Sequence, residues 1–147
     1  MNTLPDTQDL ILEPSGSVLT IWLNRPHAKN ALSGEMVDEL SAVLDAVRED
    51  RSLRTLIIRG KEGFFCAGGD IKGFKSDLQG GQPSHDDVAR GNRTFGNLMI
   101  KLNEQPQTVI MLVEGAAIGG GLGLALSLIH ISEPTRPAPL SRMPSSA

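Results

Sequence analysis

Val113-Glu114-Gly115-Ala116-Ala117-Ile118-Gly119-Gly120-Gly121-Leu122-Gly123-Leu124-Ala125 is the stretch whose reading decides the fold. The run before it, Thr108 to Val113, is apolar, rich in β-branched residues and preceded by Pro106, which predicts a buried strand. Leu122 to Leu128 after it can start a helix. A strand, a glycine-rich turn and a helix N-terminus in succession make a donor site. Glycine lets the backbone approach a ligand closely, and the first helical N–H groups lack intrahelical partners. Such groups suit a phosphate, or an oxygen that becomes negative during a reaction. A dinucleotide fingerprint needs G-x-G-x-x-G. Counted from Gly119 the sixth residue is Leu124, from Gly121 it is Leu126, and from Gly115 the third residue is Ala117, so no frame fits. The Gly-Lys-Ser/Thr of a P-loop is absent as well. On this stretch alone, glycine for close helix–strand packing competes evenly with a ligand role.

A second loop of the same make lies upstream: Gly63-Phe64-Phe65-Cys66-Ala67-Gly68-Gly69-Asp70-Ile71. It follows the apolar run Leu53 to Ile58, and Asp70 stands where a following helix would be capped. Two parallel strands that each end in bare N–H groups can aim two donors at one point, which is the requirement of an oxyanion hole.

Three ordered blocks make the chain resemble the enoyl-CoA hydratase/isomerase, or crotonase, superfamily. They are Leu23-Asn24-Arg25-Pro26 continuing to Asn30-Ala31-Leu32, then Phe65-Cys66-Ala67-Gly68-Gly69-Asp70-Ile71, then Gly115 through Gly121. The resemblance covers about Leu10 to Leu126. It implies an α/β fold, a crotonase-like spiral of ββα units, here truncated. It also implies an acyl-CoA thioester as substrate, with coenzyme A entering as part of that substrate and no separate cofactor. By match of motif the two oxyanion-hole N–H groups fall on Gly69 and Gly120, the expected catalytic pair. The resemblance puts Ala28, Lys29, Ala67, Gly68, Asp70, Ile71 and Gly119 beside the substrate. Full-length members are commonly homotrimers or hexamers, which is the expected assembly of a complete parent protein.

The 147 residues make one domain's worth of chain, and their 39% hydrophobic and 21% charged content allows a core. A net charge of −3 without a basic tract argues against nucleic acid as the main partner. One cysteine excludes an intrachain disulfide and fits a reducing compartment, so a cytoplasmic location is expected. No apolar run reaches membrane-spanning length, and Met1 to Asp9, expected to be a flexible N-terminus, lacks the basic and apolar regions of a secretory signal.

Leu10 to Leu12 and Val18 to Leu23 read as a hairpin around Pro14-Ser15-Gly16. Asn24 to Asn30 is a loop whose basic residues are either solvated or, as the family implies, close to CoA. Ser33 caps a helix with Met36, Val37, Leu40, Val43, Leu44 and Val47 on one face, which is core packing. Cys66 tempts a nucleophile assignment, but no histidine is near in sequence to lower its pKa, and a spacer role fits better. Asp70 reads as a helix cap, ahead of Ile71, Lys72 and Phe74. Ser76 to Ser84 is a linker. His85, Asp86 and Asp87 open a helix running to about Gln105, with Val88, Phe95, Leu98, Met99 and Leu102 on one face. Adjacent side chains do not converge on one helix face, so His85 and its aspartates read as capping rather than metal ligation, and no metal site is expected.

Past Leu126 the character changes. Residues 127–147 hold four prolines and six serines or threonines without a helical period. Leu128 to Pro137 resembles translated sequencing-adapter read-through, so this segment is expected to be a non-native or disordered tail on a truncated chain; a native disordered tail is the competing reading. With that tail the chain alone is expected to be marginally folded. Hydratases of the family carry a glutamate three residues after the second donor glycine, and here that position is Gly123. Glu114 is the nearest carboxylate in sequence, and a structural role suits it better than an acid/base one. A non-catalytic fragment or CoA-binding module is therefore the alternative to an enzyme.

Overall fold

A computed structural model describes residues 3–70 and 84–126 of the protein. The chain opens with a hairpin, β1 (Leu10–Ser15) and β2 (Val18–Leu23), turned by Gly16 at φ 58°. A short 3-10 turn at Pro26–Ala28 leads to helix α1 (Gly34–Val47), then β3 (Thr55–Gly60), helix α2 (His85–Asn103), β4 (Thr108–Leu112) and helix α3 (Gly120–Leu126). The strands form one sheet in the order β1-β2-β3-β4. β1 pairs antiparallel with β2, and β2, β3 and β4 run parallel, with Leu19, Leu56 and Val109 in one register row and Ile21, Ile58 and Met111 in the next.

Those two rows are buried, and the alternate residues Thr20, Ile57 and Ile110 are half-buried on the other face. The period of two explains this: a strand with one covered face alternates its burial. The cover comes from α1 and α2, which pack on each other. α1 buries the six apolar residues expected from its spacing: Met36, Val37, Leu40, Val43, Leu44 and Val47. Each such side chain contributes roughly 1.5–3 kcal/mol of burial free energy, which outweighs helix propensity as the reason this segment is helical. Ser33 caps it, its Oγ accepting from Met36 N at 3.0 Å and donating to Asp9 Oδ2 at 2.8 Å. Gln8 N and Asp9 N in turn donate to the Glu39 carboxylate at 2.7 and 3.0 Å. The end of the segment expected to be flexible is thus tied to α1.

α2 begins with a full capping box. Ser84 Oγ accepts from Asp87 N at 3.1 Å, and the Asp87 carboxylate accepts from Ser84 N at 3.2 Å. This is the capping role expected for the run after Ser84. Hydrogen bonds from Ser84, with Arg90 nearby, hold the Asp87 carboxyl below the usual carboxylate range. β3 lies at Thr55–Gly60 rather than starting at Leu53. Leu53 is buried, but its N–H closes a turn onto Asp50 O at 3.2 Å, so its apolarity serves the core from a loop.

Each parallel strand runs on into a shorter extended segment, and these segments zip together into a second ladder. Leu32 bridges Gly69, and Cys66 bridges Ala117, both parallel. The 65–70 segment therefore lies between the 28–32 and 115–118 segments, repeating the order β2-β3-β4. Strand, short ladder strand, helix is one ββα unit, and the chain stacks these units in a spiral. Among the described residues no helix is long and apolar enough to cross a membrane.

Candidate active site

The second ladder is made almost entirely of backbone contacts. Ala67 N donates to Lys29 O at 3.0 Å, Leu32 N to Gly68 O at 2.7 Å, and Asp70 N to Leu32 O at 2.9 Å. On the other side Phe65 N donates to Glu114 O at 2.8 Å, Cys66 N to Ala116 O at 3.2 Å, and Ile118 N to Cys66 O at 3.0 Å. Asn30, with φ 54° and no exposed surface, pins the first segment from inside. Its Nδ2 donates to Phe64 O at 2.7 Å and Lys61 O at 3.1 Å, and its Oδ1 accepts from Arg25 N at 2.8 Å.

Glycine is required where the segments press closest. Gly115 has φ 69°, and a Cβ there would stand 2.4 Å from Gly63 O. A Cβ on Gly121 would stand 2.7 Å from both Cys66 Cβ and Cys66 O. The packing reading of the glycine stretch therefore holds at Gly115 and Gly121; Gly120 between them is half-buried, its missing Cβ directed at Leu32 and Phe95.

The ladder brings the two expected donors together from chain positions 51 residues apart. A Cβ built on Gly120 would lie 3.8 Å from Gly69 N. Neither the Gly69 nor the Gly120 N–H meets an acceptor among the described residues. Gly69 is exposed, whereas Gly68 beside it is buried with φ 103°. A Cβ on Gly119 would lie 3.7 Å from Gly68 Cα, so these two expected substrate neighbours touch. Lys29 is exposed, its ammonium 5.7 Å from the Phe64 ring centroid, and Ala28 is half-buried in the 3-10 turn before it. Ala67 is half-buried in the middle ladder segment. Ile71, with Lys72 and Phe74, lies outside the described residues, as do 127–147.

Asp70 does something the sequence did not reveal. Its Oδ2 accepts from Arg25 Nη2 at 2.8 Å, and the two side chains are 12% and 14% exposed. The cap expected of it concerns residues outside the described ones. Sequence reasoning also did not place Leu32 and Phe95 here, whose side chains lie 3.3 and 3.7 Å from a Cβ on Gly120 and give it an apolar neighbourhood. The helical stripe placed Phe95 on an apolar face but could not say which loop that face meets.

Two tempting groups are absorbed by the scaffold. Cys66 has no exposed surface, and burial pushes its thiol above the ordinary value, so it is neutral and enclosed rather than nucleophilic. The Glu114 carboxylate is engaged by Arg59 Nη2 at 2.6 Å. Arg59 itself lies over the Trp22 ring, 4.2 Å from its centroid.

A spiral of ββα units closed by a second, backbone-paired ladder is a crotonase-type fold. The sequence model of the enoyl-CoA hydratase/isomerase family matches residues 13–128, and the chain belongs to that family. Among its relatives, a probable enoyl-CoA hydratase of Bacillus subtilis is 42% identical over 110 residues, covering 75% of this chain and 40% of the relative. A mitochondrial 3-hydroxyisobutyryl-CoA hydrolase of Rattus norvegicus is 32% identical over 127 residues, covering 86% of this chain and 32% of the relative. The solved structure of Pseudomonas aeruginosa AtuE is 48% identical, with a TM-score of 0.78, covering 85% of this chain and 48% of that one. The chain thus spans less than half the length of these relatives. Relatives named for hydration and for hydrolysis both match this part of the chain.

Proposed function

We propose that this chain supplies the thioester-binding half of an acyl-CoA enzyme of the hydratase/isomerase type. The thioester oxygen sits between the Gly69 and Gly120 N–H groups, which stabilise the enolate formed next to it. The observation that supports this reading is the approach of Gly120 to Gly69 from separate loops, a Cβ on the one lying 3.8 Å from the N of the other, with neither N–H bonded to an acceptor among the described residues. One such donor is worth roughly 2.7–4 kcal/mol of transition-state stabilisation in known cases. Ala67, Gly68 and Gly119 shape the floor on which the thioester lies. Lys29 at the rim is a cation for the CoA phosphates, with Ala28 beside it. Asp70 holds the first donor loop rather than touching the reacting atoms. Coenzyme A comes with the substrate, the setting is the cytoplasm, and the complete enzyme is a trimer or hexamer.

Calorimetry with acetyl-CoA, free CoA and NAD tests the ligand class. The expected outcome is binding of acetyl-CoA in preference to NAD; NAD binding without CoA binding would overturn the assignment.

A second reading, a CoA-binding module without turnover, is favoured by one observation. Gly123 stands where the family's hydratases carry a glutamate, and among the described residues a Cβ there meets only the Phe95 ring, at 3.8 Å. That is ordinary contact, so a side chain can be added. Joining residues 1–126 to the remaining half of the Bacillus subtilis relative gives an enzyme in which to ask. Gly123→Glu is expected to raise crotonyl-CoA hydration in that chimaera. Hydration at full hydratase speed without the substitution would show that another residue supplies the acid/base function.

A further inference from the structure

Arg25 reaches three partners at once. Its Nη1 donates to Ala31 O at 2.7 Å, its Nη2 donates to Asp70 Oδ2 at 2.8 Å, and its Nε lies 3.4 Å from Asp9 Oδ2. The first contact leads to the site. The Ala31 carbonyl shares a peptide unit with the Leu32 N–H, which donates to Gly68 O at 2.7 Å. The Gly68 carbonyl in turn shares a peptide unit with the Gly69 N–H, the first proposed donor. In a planar trans peptide the C=O and N–H point in opposite directions. The line therefore runs one way: guanidinium, peptide 31–32, peptide 68–69, open Gly69 amide.

We propose that Arg25 is a positioning residue for the thioester oxygen, acting through this relay of two peptide units; the proposal rests on the acyl-CoA reading of the site. It has two effects. The relay fixes the plane of the peptide that carries the Gly69 N–H, so the donor is aimed before substrate arrives. It also polarises that donor, because a cation hydrogen-bonded to the rear of a peptide chain strengthens each bond ahead of it, by about 10–30% per bond in condensed-phase estimates. Asp70 and Asp9 hold the guanidinium by Nη2 and Nε, which leaves Nη1 for the relay. Asp70 N also donates to Leu32 O at 2.9 Å, so Gly69 is clamped on both sides. A lysine cannot reproduce this, since a single ammonium lacks the planar fork that serves Ala31 and Asp70 together.

The test uses the full chain, residues 1–147, labelled with ¹⁵N, as wild type, Arg25→Gln and Arg25→Lys. Without ligand, Arg25→Gln should move the Leu32 and Gly69 amide protons upfield, Arg25→Lys should move them less, and the signals of Leu40 and Leu44 in α1 should stay. Butyryl-CoA carrying ¹³C at the thioester carbonyl is then added. The carbonyl shift on binding should shrink in Arg25→Gln more than affinity falls, a split that loss of scaffolding alone would not give. In the chimaera the loss in kcat should stay well below the roughly 10²–10³-fold that removing a donor outright costs. An unmoved Gly69 amide proton in Arg25→Gln overturns the relay. If that variant loses its dispersed signals, a Gly69 amide proton identical to wild type in Arg25→Lys overturns it instead. A wild-type chain that leaves the labelled carbonyl unshifted sinks the acyl-CoA reading, and the relay is then judged on the Gly69 amide alone.

Discussion

Among the described residues, a Cβ added at Gly69 meets no atom within 4 Å, whereas one added at Gly120 stands 3.3 Å from Leu32 Cδ1 and 3.7 Å from Phe95 Cζ. The two proposed donor loops thus approach each other under different constraints. The Gly69 loop is held from behind, by the bonds that Leu32 makes to its neighbours, and no described residue stands in its side-chain direction. The Gly120 turn is held from the side, wedged between Cys66, Leu32 and Phe95. At Gly69 no described residue demands glycine; at Gly120 the room is gone. Neither position has a positive φ, so the contrast is one of space and not of backbone strain.

The largest effect that can break this symmetry of roles is loss of a donor. Proline suits the first position of a helix, so Gly120→Pro should keep the fold, and in the chimaera it should cut kcat by roughly 10²–10³. Unchanged turnover would mean that Gly120 is not the second donor. Next comes the wedge itself. Gly121→Ala places a methyl 2.7 Å from the Cys66 backbone carbonyl oxygen, which cannot swing aside as a side chain end can. Overpacking of this kind costs about 1–3 kcal/mol, read as a lower urea midpoint. The direct comparison follows: Gly69→Ala should leave stability within about 0.5 kcal/mol of wild type. Gly120→Ala must push Leu32 and brings its methyl to 3.8 Å from Gly69 N, so it should weaken acyl-CoA binding while Gly69→Ala weakens it less. Equal effects at the two glycines would erase the distinction.

The smallest effect lies far from both loops and serves as their control. Asp87 has a lowered folded pKa because Ser84 hydrogen-bonds its charged form. Its contribution to the capping box is present above the ordinary carboxylate pKa and is lost as pH falls through the lower folded value. Amide signals of Ser84 to Val88 should shift in that acidic window and in Asp87→Asn, and the Gly69 amide should not follow them.

What was legible in the sequence was set by local pattern. The six buried residues of α1 follow from helical spacing, and the hairpin follows from two apolar runs around Gly16. Motif order alone singled out Gly69 and Gly120 as candidates, and in the fold a Cβ on Gly120 lies 3.8 Å from Gly69 N. The start of β3 was misjudged because Leu53 is apolar for the core's sake while Arg59, charged, continues the strand by lying across Trp22. The Arg25–Asp70 pair was not legible, since it joins residues 45 apart through a register that only the folded ladder creates. Phe95 beside Gly120 was hidden for the same reason.

The enclosure of Cys66 makes this thiol a clock. It sits in the middle segment of the ladder with no exposed surface, so an alkylating reagent can reach it only while the segments are parted. When reclosing is faster than alkylation, the labelling rate reports the equilibrium between zipped and parted ladder, distinct from unfolding of the sheet below. The chain therefore carries its own reporter of how often the Gly69 and Gly120 loops part, and any ligand that holds them together should slow that clock.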